Sequence, residues 1–200
     1  MKIEHIFTSF IATDFLKSID NTDLKKYAFE IKKNNKGVVK SNYGGWQSDI
    51  LTAPNQQVTQ LADEILKRVV EAKQPLGFRE DTILYLTNLW ININPTNSFN
   101  RPHLHPGSIF SGVYYIDCTP DSGKLVLKHP SVAQQFSFEE NIIENFTKFN
   151  ASTWSVSPEI GKLVIFPSWV EHYVEPNASA EDRISIAFNI NIKKVTLDER

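Results

Sequence analysis

The 200-residue chain is 41% hydrophobic and 22% charged, a balance that suits a packed domain and argues against wholesale disorder. Its 21 Lys and Arg against 23 Asp and Glu give a formal net charge of −2, with no bulk attraction to nucleic acid or an anionic membrane. The single cysteine, Cys118, excludes an internal disulfide framework and paired-cysteine zinc or redox motifs, and no apolar run is long enough to span a bilayer. The opening MKIEHIFTSFIATDF interrupts its apolar residues with an acid and a His and lacks a cleavage pattern, so a cytoplasmic protein is expected. On that expectation the glycosylation-type triplets at Asn145, Asn150 and Asn177 are chance matches.

One domain over residues 1–200 is expected, with a helical flank over 1–80 and a β core over 82–192. Asp20 or Thr22 can cap a first helix through Asn34, with Leu24, Tyr27, Ala28 and Ile31 on one stripe. Pro54 precedes a second, in which Val58, Leu61, Ile65, Leu66 and Val69 recur at helical spacing to about Lys73. Between them the glycine-hinged Ser41–Ser48 loop carries Trp46 and is a candidate lid. From Thr82 to Asn94 the pattern alternates: Ile83, Tyr85, Thr87, Leu89, Ile91 and Ile93 against Leu84, Leu86, Asn88, Trp90, Asn92 and Asn94. Further strands are predicted at Ile109–Asp117, Lys124–Lys128, Lys162–Phe166 and Arg183–Ile192, punctuated by Gly and Pro. Residues 131–160 read as an insert, a second candidate lid, with a short helix over Glu139–Phe149. In the last strand Ile184, Ile186, Phe188, Ile190 and Ile192 oppose Arg183, Ser185, Ala187, Asn189 and Asn191. A sheet with one apolar face and one polar, aromatic-lined face predicts a barrel or sandwich with a wet interior.

Of the five histidines, His103 and His105 form an HxH pair, whose members share a face if the segment is extended. With His172 they make a facial three-His set for one ion, and imidazole alone leaves iron, copper, nickel and zinc open. His5 and His129 sit apart and are read as ordinary polar residues. Arg183 heads a strand shortly after His172. An arginine inside a barrel needs an anion, and a dicarboxylate whose 2-oxo acid end chelates the metal would supply one. Ser185 and Tyr115 can add neutral hydrogen bonds. Lys124 and Lys162 are rival cations, each expected in solvent at a strand start.

Trp90–Phe188 resembles the 2-oxoglutarate/Fe(II)-dependent oxygenases, which have a double-stranded β-helix (jelly-roll, cupin-like) fold. Tyr114-Tyr115, His172-Tyr173-Val174-Glu175-Pro176 and Arg183 resemble the corresponding pieces of prolyl 4-hydroxylase-type members. Together with GGWQS, Trp90-Ile91-Asn92, His103-Leu104-His105-Pro106 and Ser111–Tyr115, they are similar to a bacterial and phage subfamily. The resemblance implies a mainly β, α+β fold with Fe(II) as metal, 2-oxoglutarate as cosubstrate and O2 as oxidant. It also implies metal ligation by His103 and His172, cosubstrate binding by Arg183 and Tyr115, and a hydroxylated substrate. The departure is His105, where the wider superfamily has Asp or Glu. A neutral imidazole there raises the net charge of the metal site, unless Asp117 or Glu171 supplies a carboxylate. Asn88, Trp90 and Asn92 are expected to line the substrate side. The substrate is a small molecule or peptide, with neither nucleic acid nor membrane as partner and a homodimer as one possible assembly. Two other functions fit the same residues: a three-His cupin-like dioxygenase or isomerase without 2-oxoglutarate, and a non-catalytic binding module.

Overall fold

Two capped helices form the flank. Asp20 accepts hydrogen bonds from the backbone N–H groups of Thr22 and Asp23, and α1 (Asn21–Asn34) follows, with Lys32 and Lys33 in its last turn. Asn55 accepts from the Val58 N–H at 3.0 Å and opens α2 (Gln56–Ala72), whose buried stripe is Val58, Leu61, Ile65 and Val69. Both helices lie where the spacing predicts them. The computed structural model describes residues 1–2, 4, 6–131 and 142–195. No helix among them is long and apolar enough to cross a membrane.

The strands are β1 (Ala12–Phe15), β2 (Asn42–Tyr43), β3 (Trp46–Gln47), β4 (Thr82–Asn94), β5 (Phe99–His103), β6 (Phe110–Asp117), β7 (Leu125–Lys128), β8 (Thr153–Val156), β9 (Lys162–Pro167), β10 (His172–Val174) and β11 (Arg183–Lys194). They form two antiparallel sheets, a major one in the order β1-β9-β6-β11-β4-β3 and a minor one in the order β2-β5-β10-β7-β8. This is the double-stranded β-helix. The outer face of the major sheet packs on α1 and α2 through Leu89, Ile91, Ile93, Phe110, Tyr114, Ile184, Ile186, Phe188 and Ile190. Gly112 makes that packing possible: a Cβ there would lie 2.3 Å from Phe188 Cζ and from the Val164 carbonyl oxygen. A smaller apolar cluster of Tyr115, Leu125, Leu127, Val156, Val164, Phe166 and Val170 fills the space between the sheets.

Three expectations change. The Ser41–Ser48 loop is a fixed clasp, because β2 pairs with β5 of the minor sheet and β3 with β4 of the major sheet. Gly44 takes φ +70° at its turn, and a Cβ on Gly45 would sit 2.6 Å from Asn94 Nδ2. Part of the helix expected over Glu139–Phe149 lies outside the described residues; residues 143–149 are turns and irregular chain. The stretch read as an insert also contains β8, which pairs with β7. Asn177 is fully buried and donates to the Asn94 and Glu181 carbonyls, so its triplet is inaccessible as folded.

Candidate active site

Two short strands of the minor sheet bring the histidines together. His103 ends β5 and faces His172, the first residue of β10, in register across the ladder. His105 lies two residues beyond the end of β5, so it reaches the cluster from a turn, not from a continuous strand. Its backbone N–H donates to the Ser168 carbonyl at 3.1 Å, which fixes that turn. One ligand atom from each of the three side chains lies within 4.8 Å of the others. Ring centroids are separated by 5.0 Å (His103–His105), 4.3 Å (His103–His172) and 5.1 Å (His105–His172).

Backbone carbonyls choose the tautomers of two rings. His103 Nδ1 lies 2.7 Å from the Arg101 carbonyl oxygen, and His172 Nδ1 lies 2.9 Å from that of Val170. A carbonyl only accepts, so each Nδ1 carries the proton and each Nε2 presents its lone pair to the cluster. Ser41 Oγ faces the His103 lone pair at 3.4 Å and accepts from Asn100 Nδ2 at 3.1 Å. Desolvation, opposed by the Arg101 contact, lowers the His103 pKa; desolvation, then repulsion from His103, lowers His105 to about 4 and His172 to about 3. All three rings are therefore neutral at pH 7, as a divalent ion requires.

Among the described residues no carboxylate joins this cluster. Asp117 pairs with Lys25 at 2.5 Å and Glu171 with Lys128 at 3.0 Å, so neither replaces the acid missing at His105.

A narrow inner cavity of about 60 Å³ runs between the sheets beside the three rings. Arg183, Ser185, Tyr115, Asn92 and Trp90 line it. Arg183 is 2% exposed; its Nη1 donates to the carbonyls of Ser122, Gly123 and Glu175, and its Nη2 has no partner. Burial lowers its pKa, as expected for a cation without a counter-anion. Burial likewise raises the Tyr115 pKa, so its hydroxyl stays neutral. Of the rival cations, Lys124 is exposed as expected. Lys162 is buried, contrary to expectation, and is held by Glu159 and the Ser157 carbonyl away from the cavity.

A second, wider basin of about 690 Å³ opens outside the rings. Asn88 and Trp90 line it, whereas Asn92 belongs only to the inner cavity, where its Oδ1 is also unpartnered. Trp90, His103, His105 and Ser41 border both spaces, so the rings stand at their junction. Sequence reasoning missed Ser41, Asn100 and the basin cations Lys40 and Arg101. The available signal for Ser41 was its place at the start of the Ser41–Ser48 loop, since its contact with His103 depends on how two sheets close.

A model of the family described as "Putative 2OG-Fe(II) oxygenase" matches residues 88–189, about half of the chain and all three rings. The chain belongs to the 2OG-Fe(II) oxygenases. Fe(II), 2-oxoglutarate and O2 are thus its metal, cosubstrate and oxidant. No curated protein matches the chain significantly. Among solved structures, the oxygenase is similar to a Pseudomonas putida prolyl-4-hydroxylase, with TM-score 0.60 and 19% identity over 92% of this chain and 93% of that one. The epimerase SnoN from nogalamycin biosynthesis gives 0.65 and 11% over 93% and 81%. HygX from Streptomyces hygroscopicus, solved with nickel, 2-oxoglutarate and hygromycin B, gives 0.59 and 14% over 92% and 83%. At these identities the likeness establishes the shared fold and nothing about the substrate.

Proposed function

We propose that the oxygenase hydroxylates a C–H bond of a substrate held in the outer basin, with Fe(II) on His103, His105 and His172. Arg183 takes the far carboxylate of 2-oxoglutarate, assisted by Ser185 and Tyr115. The observation that carries this reading is the unpartnered, buried Nη2 of Arg183 in the same narrow cavity as three neutral imidazoles. The residues fit the group: a buried, unpartnered guanidinium nitrogen and three metal-binding imidazoles line the same slot. When bound, iron, 2-oxoglutarate and dioxygen supply oxidative decarboxylation to succinate and carbon dioxide, with transfer of one oxygen atom to the substrate.

The chain's own contributions are positional and electrostatic. The Arg101 and Val170 carbonyls hold two rings in the ligating tautomer. Leu125, Phe166 and Val174 line the slot beside Arg183 and the rings, and their apolar surface strengthens each electrostatic contact there. Three neutral ligands leave the full dipositive charge on the metal, one unit more than with an aspartate, which favours a dianionic cosubstrate. Trp90 separates the slot from the basin and packs 5.8 Å from the His105 ring.

The test is a calorimetric titration of the Mn(II)-loaded protein with 2-oxoglutarate. Arg183→Leu should weaken binding about 30- to 1,000-fold, a loss of ~2–4 kcal/mol, while metal affinity is kept. Arg183→Lys should recover only part, since an ammonium lacks the planar fork. Equal affinity in wild type and Arg183→Leu would remove the support for this reading. Absence of 2-oxoglutarate binding in the metal-loaded wild type would do the same.

A further inference from the structure

A chain of buried polar side chains runs behind the HxH turn. Ser111 on β6 donates its hydroxyl proton to Asn189 Oδ1 on β11 at 2.7 Å, and Ser168 Oγ lies 2.8 Å from Ser111 Oγ. A hydroxyl has one proton, and Ser111 has spent its own on Asn189. Ser168 is therefore the donor of the second bond, which gives the chain a single direction. Asn189 Nδ2 continues to Asn88 Oδ1 at 3.5 Å, the loosest link, and Asn88 lines the outer basin. Ser111, Ser168 and Asn189 are 1%, 0% and 7% exposed, so no solvent competes for these bonds.

The other end of the chain holds a backbone. The Ser168 carbonyl accepts the His105 N–H at 3.1 Å, and the Ser168 N–H donates to the Ile109 carbonyl at 3.0 Å. The Ile109 N–H in turn donates to Ile190, and Asn191 Nδ2 donates to the Gly107 carbonyl at 2.8 Å. The 105–109 segment is thus tied directly to β11 at two places, Ile190 and Asn191, and indirectly through Ser168, Ser111 and Asn189. His105 has greater need of such support than the other two rings. His103 and His172 sit in strands and have carbonyl partners on Nδ1, whereas His105 lies outside a strand.

We propose that Ser168, Ser111 and Asn189 are positioning residues for His105, acting through the Ser168 backbone to set where its ring meets the metal. This rests on the assignment of His105 as a ligand. It explains why buried polar side chains are kept on β6, on β11 and in the turn after β9, at positions outside the three-ring cluster.

The test uses Co(II) added to the metal-free protein, with affinity read by calorimetry and ligand geometry by visible absorption. Ser111→Ala and Ser168→Ala should each weaken Co(II) binding about 10-fold and alter the cobalt spectrum. Asn189→Ala should have a smaller effect, and Asn88→Ala, across the loosest link, less than about 3-fold. Asn189→Asp still accepts from Ser111 and should recover part of the Asn189→Ala loss. Tyr114→Phe is the control: it removes a half-buried 2.9 Å bond to Asn21 from the opposite face of the same strand. It should lower the melting temperature comparably with no change in the cobalt spectrum. Wild-type affinity and spectrum in folded Ser111→Ala and Ser168→Ala would overturn the proposal, and so would an equal spectral change in Tyr114→Phe. His105→Ala separates the two levels of inference. If that variant keeps the wild-type spectrum, His105 is no ligand and the functional reading itself fails.

Discussion

Along β11, Ile184, Ile186, Phe188 and Ile190 are completely buried against the helical flank, while Arg183, Ser185, Ala187 and Asn189 turn toward the space between the sheets. Its neighbour β4 repeats the division, with Ile91 and Ile93 outward and Trp90, Asn92 and Asn94 inward. The outer face is dry and close-packed; the inner face retains unmet hydrogen-bonding capacity. Of the three buried side-chain groups without a partner among the described residues, Asn92 Oδ1 and Arg183 Nη2 both belong to the inner face. Such groups oppose folding unless another partner satisfies them. One sheet therefore divides stability and function between its faces, and substitutions on the two should differ in sign as well as size.

The largest effect is expected from Ile186→Asp, which puts an unpaired carboxylate into the helix-backed core. A loss of more than about 4 kcal/mol should leave no cooperative thermal transition. A near-wild-type melt would mean that the faces are reversed. Gly112→Ala comes next: the added methyl meets the Phe188 ring and the Val164 carbonyl, for about 1–3 kcal/mol by urea denaturation. Little or no change there would show the outer face to be looser than its packing implies.

Acidification probes the inner face. His172, 4% exposed, has a pKa lowered to about 3, against about 6.5 in an unfolded chain. Between these values the unfolded state binds more protons, so stability of the metal-free protein falls as pH drops below about 6.5. Each such ring contributes about 1 kcal/mol per pH unit. Melting temperatures that stay flat from pH 7 to pH 5 would contradict its burial as a neutral ring. The smallest effect has the opposite sign. Asn92→Leu replaces an unsatisfied amide by an apolar group of similar size and should raise the melting temperature about 2–4 °C, or about 1 kcal/mol. A decrease would show that Asn92 has a structural role the inner face does not otherwise suggest.

Whatever depended on local chemistry could be read from the chain. Asp20, one of the two caps expected, and Pro54, just before the Asn55 cap, mark the two helix starts because such signals act within a few residues, and β4 and β11 are long enough for their alternation to register. The three rings were found because HxH and a distal His form a donor set whatever the path between them. By contrast β2, β3 and β10 have two or three residues each, too few for a period to emerge. The anchors of His103 and His172 are backbone carbonyls, which no residue type announces. The bond between Ser111 and Asn189 exists only once β6 and β11 are in register. Lys162 is buried because Glu159 and the Ser157 carbonyl, in the irregular chain between β8 and β9, fold back onto its ammonium, and no local pattern announces that path.

The β2–β3 clasp also bears on the order of events in folding. Asn42 pairs with Asn100 and Trp46 with Ile93, partners roughly fifty residues away, and each pairing is only two residues long. So little ladder cannot repay the entropy of closing such loops until both sheets already stand. The clasp should therefore dock late, and changes at Gly44 or Gly45 should speed unfolding while leaving the folding rate nearly untouched. Because Gln47 and Ser48 form one wall of the outer basin, the basin is then complete only at the end of folding. A late intermediate would hold its three rings in place without the wall that shelters them.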